Sequence, residues 1–225
     1  PFKGKFEWAI DYYKSMAKKL NITMKLGKEV TAQEVLALKP HSILVATGSN
    51  VISIPLEGLD QVQTVQAHDV LANDMQFANK KVVVIGGGIT GLETALYINR
   101  QGTNQVSVVD MLPEWPVDML DMRYQNEALL EVRHCNDQGV ALFYNNKVVK
   151  FADGKLFIES TKDGEVKELP ADVIVLSVGV KPNDALWQEL LASGHPSVWK
   201  AGDAIATGKI NKAVLHGSKF GYSLN

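Results

Sequence analysis

One glycine-rich turn constrains the fold of this chain more than any other segment. The apolar run 82–85 leads directly into Gly86-Gly87-Gly88-Ile89-Thr90-Gly91, and a helical pattern follows. A strand, a G-x-G-x-x-G turn and a helix in this order predict a dinucleotide-binding α/β unit. Gly86 permits the tight turn, Gly88 lets the backbone approach a pyrophosphate, and Gly91 lets the helix and the strand pack closely. The phosphates would meet backbone N–H groups at the positive end of the helix dipole. The alternative is a glycine-rich turn that binds nothing.

The next strand ends in an acidic residue where such a fold needs one. Asp110 ends the strand 105–109 and lies 19 residues after Gly91. A carboxylate there can accept both hydroxyls of the adenosine ribose and would repel a 2′-phosphate. The segment 110–116 contains no arginine that could hold such a phosphate. This favours NAD(H) over NADP(H), although a solvated Asp at a strand end is the alternative.

Glu93 has two interpretations. A carboxylate in the first turns of a helix is favoured by the dipole, and this alone could explain it. The functional interpretation places Glu93 near the nicotinamide.

Strands and helices alternate along the chain, which predicts an α/β fold with a parallel sheet. Apolar spacing predicts helices over 5–20, 68–73 and 118–138, with a closing helix over 212–224. Thr31 and Glu34 predict a capping box at the start of a further helix that ends near Leu38. Strands are predicted over 22–26, 42–49, 82–85, 105–110, 140–151, 154–160, 165–170, 171–179 and 197–204. The three consecutive strands from 140 to 170 are expected to be short and antiparallel. Trp8, Tyr12 and Tyr13 are interpreted as packing residues, with a barrel or subunit contact as the alternative.

Composition narrows the class of protein. The chain is 46% hydrophobic and 21% charged, with a net charge of −2, which is ordinary for a globular protein and gives no support to a nucleic-acid or membrane-surface partner. No apolar stretch is long enough to span a membrane. The single cysteine, Cys135, rules out a disulfide, a CxxC pair or a cysteine-ligated cluster within the chain. The histidines show no metal-ligand spacing, and we expect a cytoplasmic location.

Four segments together resemble the pyridine-nucleotide-dependent flavoprotein reductases, which have two dinucleotide-binding domains. Residues 46–49 (Ala-Thr-Gly-Ser) resemble the turn where the chain leaves the FAD domain. Residues 84–95 resemble the nucleotide fingerprint, 177–183 resemble the second crossover, and 201–203 (Ala-Gly-Asp) resemble the late FAD-side motif. Their order is more specific than any one of them.

The resemblance implies an FAD and NAD(H) enzyme that passes hydride from NADH to a flavin, with no catalytic side chain or metal in this chain. It implies that Thr47, Gly48 and Gly179 lie at the cofactor cleft, and that Asp203 meets a ribityl or pyrophosphate group of FAD. The glycines could instead only supply a positive φ, and Asp203 could only cap a turn. The expected domains are a partial FAD-type domain (1–50), a connection (51–79), an NAD(H) domain (80–180) and a return to the FAD-type domain (181–225).

A closer likeness is to the C-terminal region of the Old Yellow Enzyme-like 2,4-dienoyl-CoA and enoate reductases and trimethylamine dehydrogenase. The first 31 residues and the segment 209–224 carry it. It implies a fragment of an enoate or dienoyl-CoA reductase whose FAD fingerprint and FMN barrel lie outside this chain, so we expect this chain alone to retain FAD poorly. A second copy of this chain, in a homo-oligomer, is a further expected partner. The alternatives are a non-catalytic nucleotide-fold docking module and a fragment of an NADH oxidase or a ferredoxin reductase.

Overall fold

The computed structural model describes residues 4–113 and 122–224 and divides them into two compact units. Residues 53–179 form the first unit, and the described residues before 53 and after 179 form the second. The expected start of a helix at 118–121 lies outside the described residues. The division into FAD-type and NAD-type domains stays a prediction.

The helices and strands are defined here in chain order. The helices are α1 (Phe6–Lys19), α2 (Ala32–Ala37), α3 (Ala67–Ala72), α4 (Ile89–Asn99), α5 (Met122–Asp137), α6 (Ala185–Ala192) and α7 (Ile210–Ser223). The strands are β1 (Ile43–Val45), β2 (Ser49–Val51), β3 (Gln63–Gln66), β4 (Lys81–Ile85), β5 (Gln105–Val109), β6 (Ala141–Phe143), β7 (Asn146–Ala152), β8 (Lys155–Ser160), β9 (Val166–Pro170), β10 (Val173–Leu176), β11 (Val180–Pro182) and β12 (Val198–Lys200).

The first unit is built on a five-stranded parallel sheet in the order β3-β10-β4-β5-β6. Its central strands β4 and β10 are almost wholly buried, as expected for a parallel sheet covered on both faces. The strand that leads into the glycine turn therefore lies at the centre of the sheet, where its position is held from both sides.

Alternate residues of these strands enter two separate cores, because side chains of a strand point to opposite faces. On one face, Val82 and Val84 pack with the helix residues Leu92, Leu96 and Cys135. On the other face, residues such as Val83 and Ile85 pack with the antiparallel sheet β7-β8-β9, which supplies Phe151, Leu156 and Ile158. The sheet thus lies between a helical layer and a second sheet.

The second unit contains two short two-stranded sheets. β1 pairs in parallel with β12, and β2 pairs in antiparallel fashion with β11. Its small core is formed by Ile43, Val45 and Leu190. Thr31 caps α2 in a complete capping box with Glu34, as the sequence predicts.

The fold class is confirmed as α/β with parallel sheets and a small antiparallel sheet, but some local predictions are wrong. Residues 22–26 form no strand, and Ile22, Met24 and Leu26 are exposed, so this apolar alternation has no sheet to join. The segment 140–151 is not one antiparallel strand, because 141–143 form β6 of the parallel sheet. Trp8, Tyr12 and Tyr13 are exposed rather than packed.

Candidate functional site

The glycine turn lies at the carboxyl edge of the parallel sheet. Gly86 directly follows β4 and has a φ of +111°, a region that side chains rarely adopt. Gly88 is the N-cap of α4 and has no side chain to cap the first N–H groups of that helix. The turn therefore presents a helix N-terminus beside bare backbone, which is the geometry that favours a phosphate.

The glycines differ in the space around them. A Cβ on Gly91 would lie 1.9 Å from Gly86 O, and a Cβ on Gly86 would lie 2.2 Å from Ser177 O. A Cβ on Gly88 would meet no atom within 4 Å. Gly86 and Gly91 are thus required for packing, whereas the space at Gly88 is open to an incoming group, and these residues fit a dinucleotide pyrophosphate.

Asp110 is attached to the same turn through its carboxylate. Gly87 N–H donates to Asp110 Oδ2 at 2.6 Å, and Leu112 N–H donates to Asp110 Oδ1 at 2.8 Å. Each oxygen keeps a second lone pair, so the carboxylate can also accept from ribose hydroxyls. The sequence pattern predicts that Asp110 lies near the turn, but the motif does not predict its hydrogen bond to Gly87.

The sequence reasoning missed Tyr144 at this edge, and it named Ser177 only within the crossover segment and not as a site residue. Tyr144 follows β6, and its Cε1 lies 2.9 Å from the position of a Cβ on Gly87. Ser177 follows β10, and its N–H donates to Ile85 O at 2.8 Å. Both directly follow strands that neighbour β4 or β5 in the sheet, and ligands of α/β sheets bind beyond the carboxyl ends of the strands. That rule, applied to every parallel strand, would have found them.

The other predicted residues of the first unit are placed as follows. Ile89 is half-buried and Thr90 is exposed in the first turn of α4, where Thr90 O accepts from Thr94 Oγ1 at 2.6 Å. Glu93 is half-buried further along α4. Gly179 is exposed with a φ of +97°, so a positive φ accounts for a glycine there. A role for Glu93 or Gly179 at a nicotinamide stays a prediction.

The second unit contains a cavity of about 420 Å³ at the end of β1. Gly48 and Asp203 line it together with Lys209, the N-cap of α7, and Ile210, the first residue of that helix. Asp203 Oδ1 accepts from Gly208 N–H at 3.0 Å, and Asp203 Oδ2 accepts from the Ser49 hydroxyl at 3.5 Å. A carboxylate and a helix N-terminus suit a polyhydroxyl chain and a phosphate, so these residues fit part of a flavin nucleotide.

Thr47 and Gly48 form hydrogen bonds with Asn183, in the crossover segment 177–183. The Thr47 hydroxyl donates to Asn183 O at 2.5 Å, and Asn183 N–H donates to Gly48 O at 3.0 Å. Gly48 has a φ of +74°. The exposed Thr47 is thus tied to the backbone, and its contact with a cofactor stays a prediction.

Cys135 is not suited to act as a nucleophile or a redox group. It is fully buried in the helical layer, and burial, followed by the charge of Glu131, raises the pKa of its thiol to about 12. A thiolate is the reactive form of cysteine, so Cys135 is inert near neutral pH. Within residues 4–113 and 122–224, no group of three His, Cys, Asp or Glu side chains could hold a metal ion. No helix in the described part of the chain is long and apolar enough to cross a membrane.

The central parallel sheet, the glycine turn and the acidic residue after the next strand define a dinucleotide-binding α/β protein. The sequence matches the family model described as pyridine nucleotide-disulphide oxidoreductase over residues 12–216. The chain therefore belongs to the pyridine nucleotide-disulphide oxidoreductase family.

Its relatives are longer proteins. The chain is 29% identical to an NADH oxidase of Thermoanaerobacter brockii, over 100% of this chain and 34% of the relative. It is 32% identical to a bilirubin reductase of Mediterraneibacter gnavus, over 81% of this chain and 27% of the relative. A solved 2-naphthoyl-CoA reductase complex superposes with a TM-score of 0.81 at 27% identity, over 96% of this chain and 32% of that chain. The chain thus spans between about a quarter and a third of the length of these curated relatives.

These similarities confirm the coarser predictions. The family and its named members are oxidoreductases, and proteins of this family use FAD and NAD(H). The family name also refers to a disulphide, but this chain has a single cysteine and cannot form a disulfide within itself.

Proposed function

We propose that this chain is the NAD(H)-binding region, with part of the flavin-binding region, of an NADH-dependent flavoprotein oxidoreductase. Residues 80–180 hold the nicotinamide nucleotide, and 1–50 with 181–225 belong to the FAD-type domain. When bound, NADH supplies a hydride and the flavin accepts it. The chain's own part is to bind and orient these groups, and redox chemistry of this kind belongs to the cofactors.

The observation that best supports this proposal is the hydrogen bond between the Asp110 carboxylate and the glycine turn. Its carboxylate accepts from Gly87 N–H at 2.6 Å, so it stands beside the open space over Gly88. A pyrophosphate over Gly88 would therefore place the adenosine ribose next to an acceptor. The negative charge of Asp110 disfavours the 2′-phosphate of NADPH, which supports NADH as the ligand.

We further propose that the whole protein reduces an organic substrate of the enoate or dienoyl-CoA kind, with its substrate site on a barrel outside this chain. The resemblance of the first and last segments to Old Yellow Enzyme-like reductases supports this. The similarity to a 2-naphthoyl-CoA reductase supports a substrate carried by CoA. The similarity to an NADH oxidase supports an alternative in which the flavin passes its electrons to oxygen.

A second candidate function is a non-catalytic docking module. It is favoured by α1, in which no residue is buried although Phe6, Trp8 and Ile10 are large and apolar. Exposed apolar patches of this kind mark interaction surfaces. In this hypothesis the nucleotide fold is retained for assembly alone.

Calorimetric titration of the purified chain with NADH and NADPH separates the two functions. We expect NADH to bind in the micromolar range, about −8 kcal/mol, and NADPH to bind more weakly. Asp110→Asn should weaken NADH binding by about tenfold or more, because a charged acceptor of ribose hydroxyls is lost. Absence of binding by either nucleotide would contradict the proposal and leave the docking module.

A further inference from the structure

The turn after β6 is hydrogen-bonded to the backbone of Asp110 at both of its ends. Asp110 N–H donates to Phe143 O at 3.0 Å, and Asp110 O accepts from Asn146 N–H at 2.9 Å. These partners flank Tyr144 in the sequence. Tyr144 is therefore carried by the same short segment that holds the end of the acidic strand.

This segment is itself held in place by further hydrogen bonds. Asn145 has a φ of +59°, and its carbonyl accepts from the N–H and the hydroxyl of Thr161, at 2.7 and 3.1 Å. Asn146 Nδ2 donates to Tyr144 O at 2.8 Å. The backbone that positions the Tyr144 ring is thus fixed by contacts that do not depend on that ring.

The ring and the Asp110 carboxylate border the same small space. The place that a Cβ would occupy on Gly87 lies 2.9 Å from Tyr144 Cε1, 3.1 Å from Asp110 Cβ and 3.2 Å from Asp110 Oδ2. Gly87 is buried and its φ is not positive, so it is a glycine because these two side chains leave no room for a Cβ. A partly buried ring at this point limits the positions that the carboxylate can take.

We propose that Tyr144 is a positioning residue that keeps the Asp110 carboxylate against Gly87 N–H and thereby sets the preference for NADH over NADPH. The inference rests on the proposed function of the glycine turn. Tyr144 excludes water and alternative rotamers beside Asp110, so that the charge stays where a 2′-phosphate would lie. Without the ring edge, Asp110 can turn away from the turn, and both its ribose hydrogen bonds and its repulsion of the phosphate weaken.

The test is a double-mutant cycle on nucleotide affinity, measured by calorimetry on the full chain. Tyr144→Ala should bind NADH about three- to tenfold more weakly, within the range found for residues in contact, with little change for NADPH. The ratio of the two affinities should therefore fall. Tyr144→Phe keeps the ring edge and should keep the parent ratio. In the Asp110→Asn background, Tyr144→Ala should change NADH affinity by less than about twofold.

Any of three measured outcomes overturns the inference. An unchanged affinity ratio in Tyr144→Ala, an equal loss in Tyr144→Phe, or an equal loss in the Asp110→Asn background would show that the ring does not act through the carboxylate. If Tyr144→Ala unfolds, Tyr144→Leu replaces it, because leucine retains apolar volume but cannot reach Gly87. Failure of the parent chain to bind either nucleotide would instead refute the proposed function, and this inference with it.

Discussion

Three glycines of the nucleotide turn share one motif but meet different physical constraints. Gly91 lies against backbone, Gly87 lies against side chains, and Gly88 borders open space. The motif predicts a need for Gly88 and Gly91, whereas Gly87 occupies one of its variable positions. A packing role and a binding role are separated only by the folded positions of the Gly86 carbonyl, in the same turn, and of the Tyr144 ring, from a distant part of the chain.

Alanine at two of these glycines should therefore affect different properties, namely the stability of the fold at Gly91 and the affinity for NADH at Gly88. Gly91→Ala should lower the free energy of unfolding by about 2–3 kcal/mol, because its Cβ would overlap a backbone oxygen in a packed region. Gly88→Ala, at a φ of −69°, should cost less than about 1 kcal/mol. It should nevertheless weaken NADH binding by about tenfold or more, since one carbon in a binding site has such an effect.

Denaturant unfolding and calorimetry on the same two variants check this pair. Gly102→Ala is the control for a glycine with a positive φ and open surroundings, which should lose some stability without loss of NADH affinity. Full NADH affinity in Gly88→Ala would contradict the placement of the pyrophosphate over this residue.

At the scale of elements, a prediction succeeded where local chemistry alone is enough to define the structure. The capping box of Thr31 and Glu34 is a local device that needs no partner, and α2 begins where it predicts. The alternation at 22–26 is equally local, but a strand needs a neighbour to satisfy its backbone, and none of the described strands pairs with this segment. The split of 140–151 between two sheets depends on the hydrogen bonds of Asp110, which no pattern in that segment reveals.

An ion pair between the N-cap of α6 and β12 makes the stability of the second unit depend on pH. Lys200 Nζ donates to Asp184 Oδ2 at 2.9 Å and also lies 4.1 Å from the centre of the Trp187 ring. The hydrogen bond from Lys200 lowers the pKa of Asp184 below its usual value. A carboxyl group with a depressed pKa stabilises the folded state above its unfolded pKa, and this contribution is lost as pH falls through the folded value.

Asp184→Asn should therefore unfold at a lower temperature than the parent at neutral pH. The difference should shrink as pH falls below about 4, where an unfolded Asp becomes protonated, and thermal unfolding across this range measures it. Asp11→Asn is the matched control, because Asp11 lies 3.8 Å from Lys14 with both side chains well exposed. A difference between Asp184→Asn and the parent that is independent of pH would contradict this account.

At the scale of the whole molecule, the two units are unequally equipped to bind a nucleotide, as the single fingerprint of the sequence predicts. The one G-x-G-x-x-G of the sequence begins at Gly86, in the first unit. The second unit offers a cavity with Asp203 and the start of α7, without a glycine turn of that kind. Cofactor sites bury most of the ligand's surface, so the second unit should hold only part of a flavin nucleotide.

We therefore expect the purified chain to bind NADH while retaining little or no FAD. Its visible absorption spectrum should show no flavin band, and added FAD should bind more weakly than NADH in a fluorescence titration. Asp203→Ala should abolish the residual FAD binding and leave NADH binding unchanged, because Asp203 belongs to the second unit alone. A strong flavin band that disappears in Asp203→Ala would contradict the expected weak retention, and would mean that a carboxylate and a helix N-terminus hold FAD without a second glycine turn.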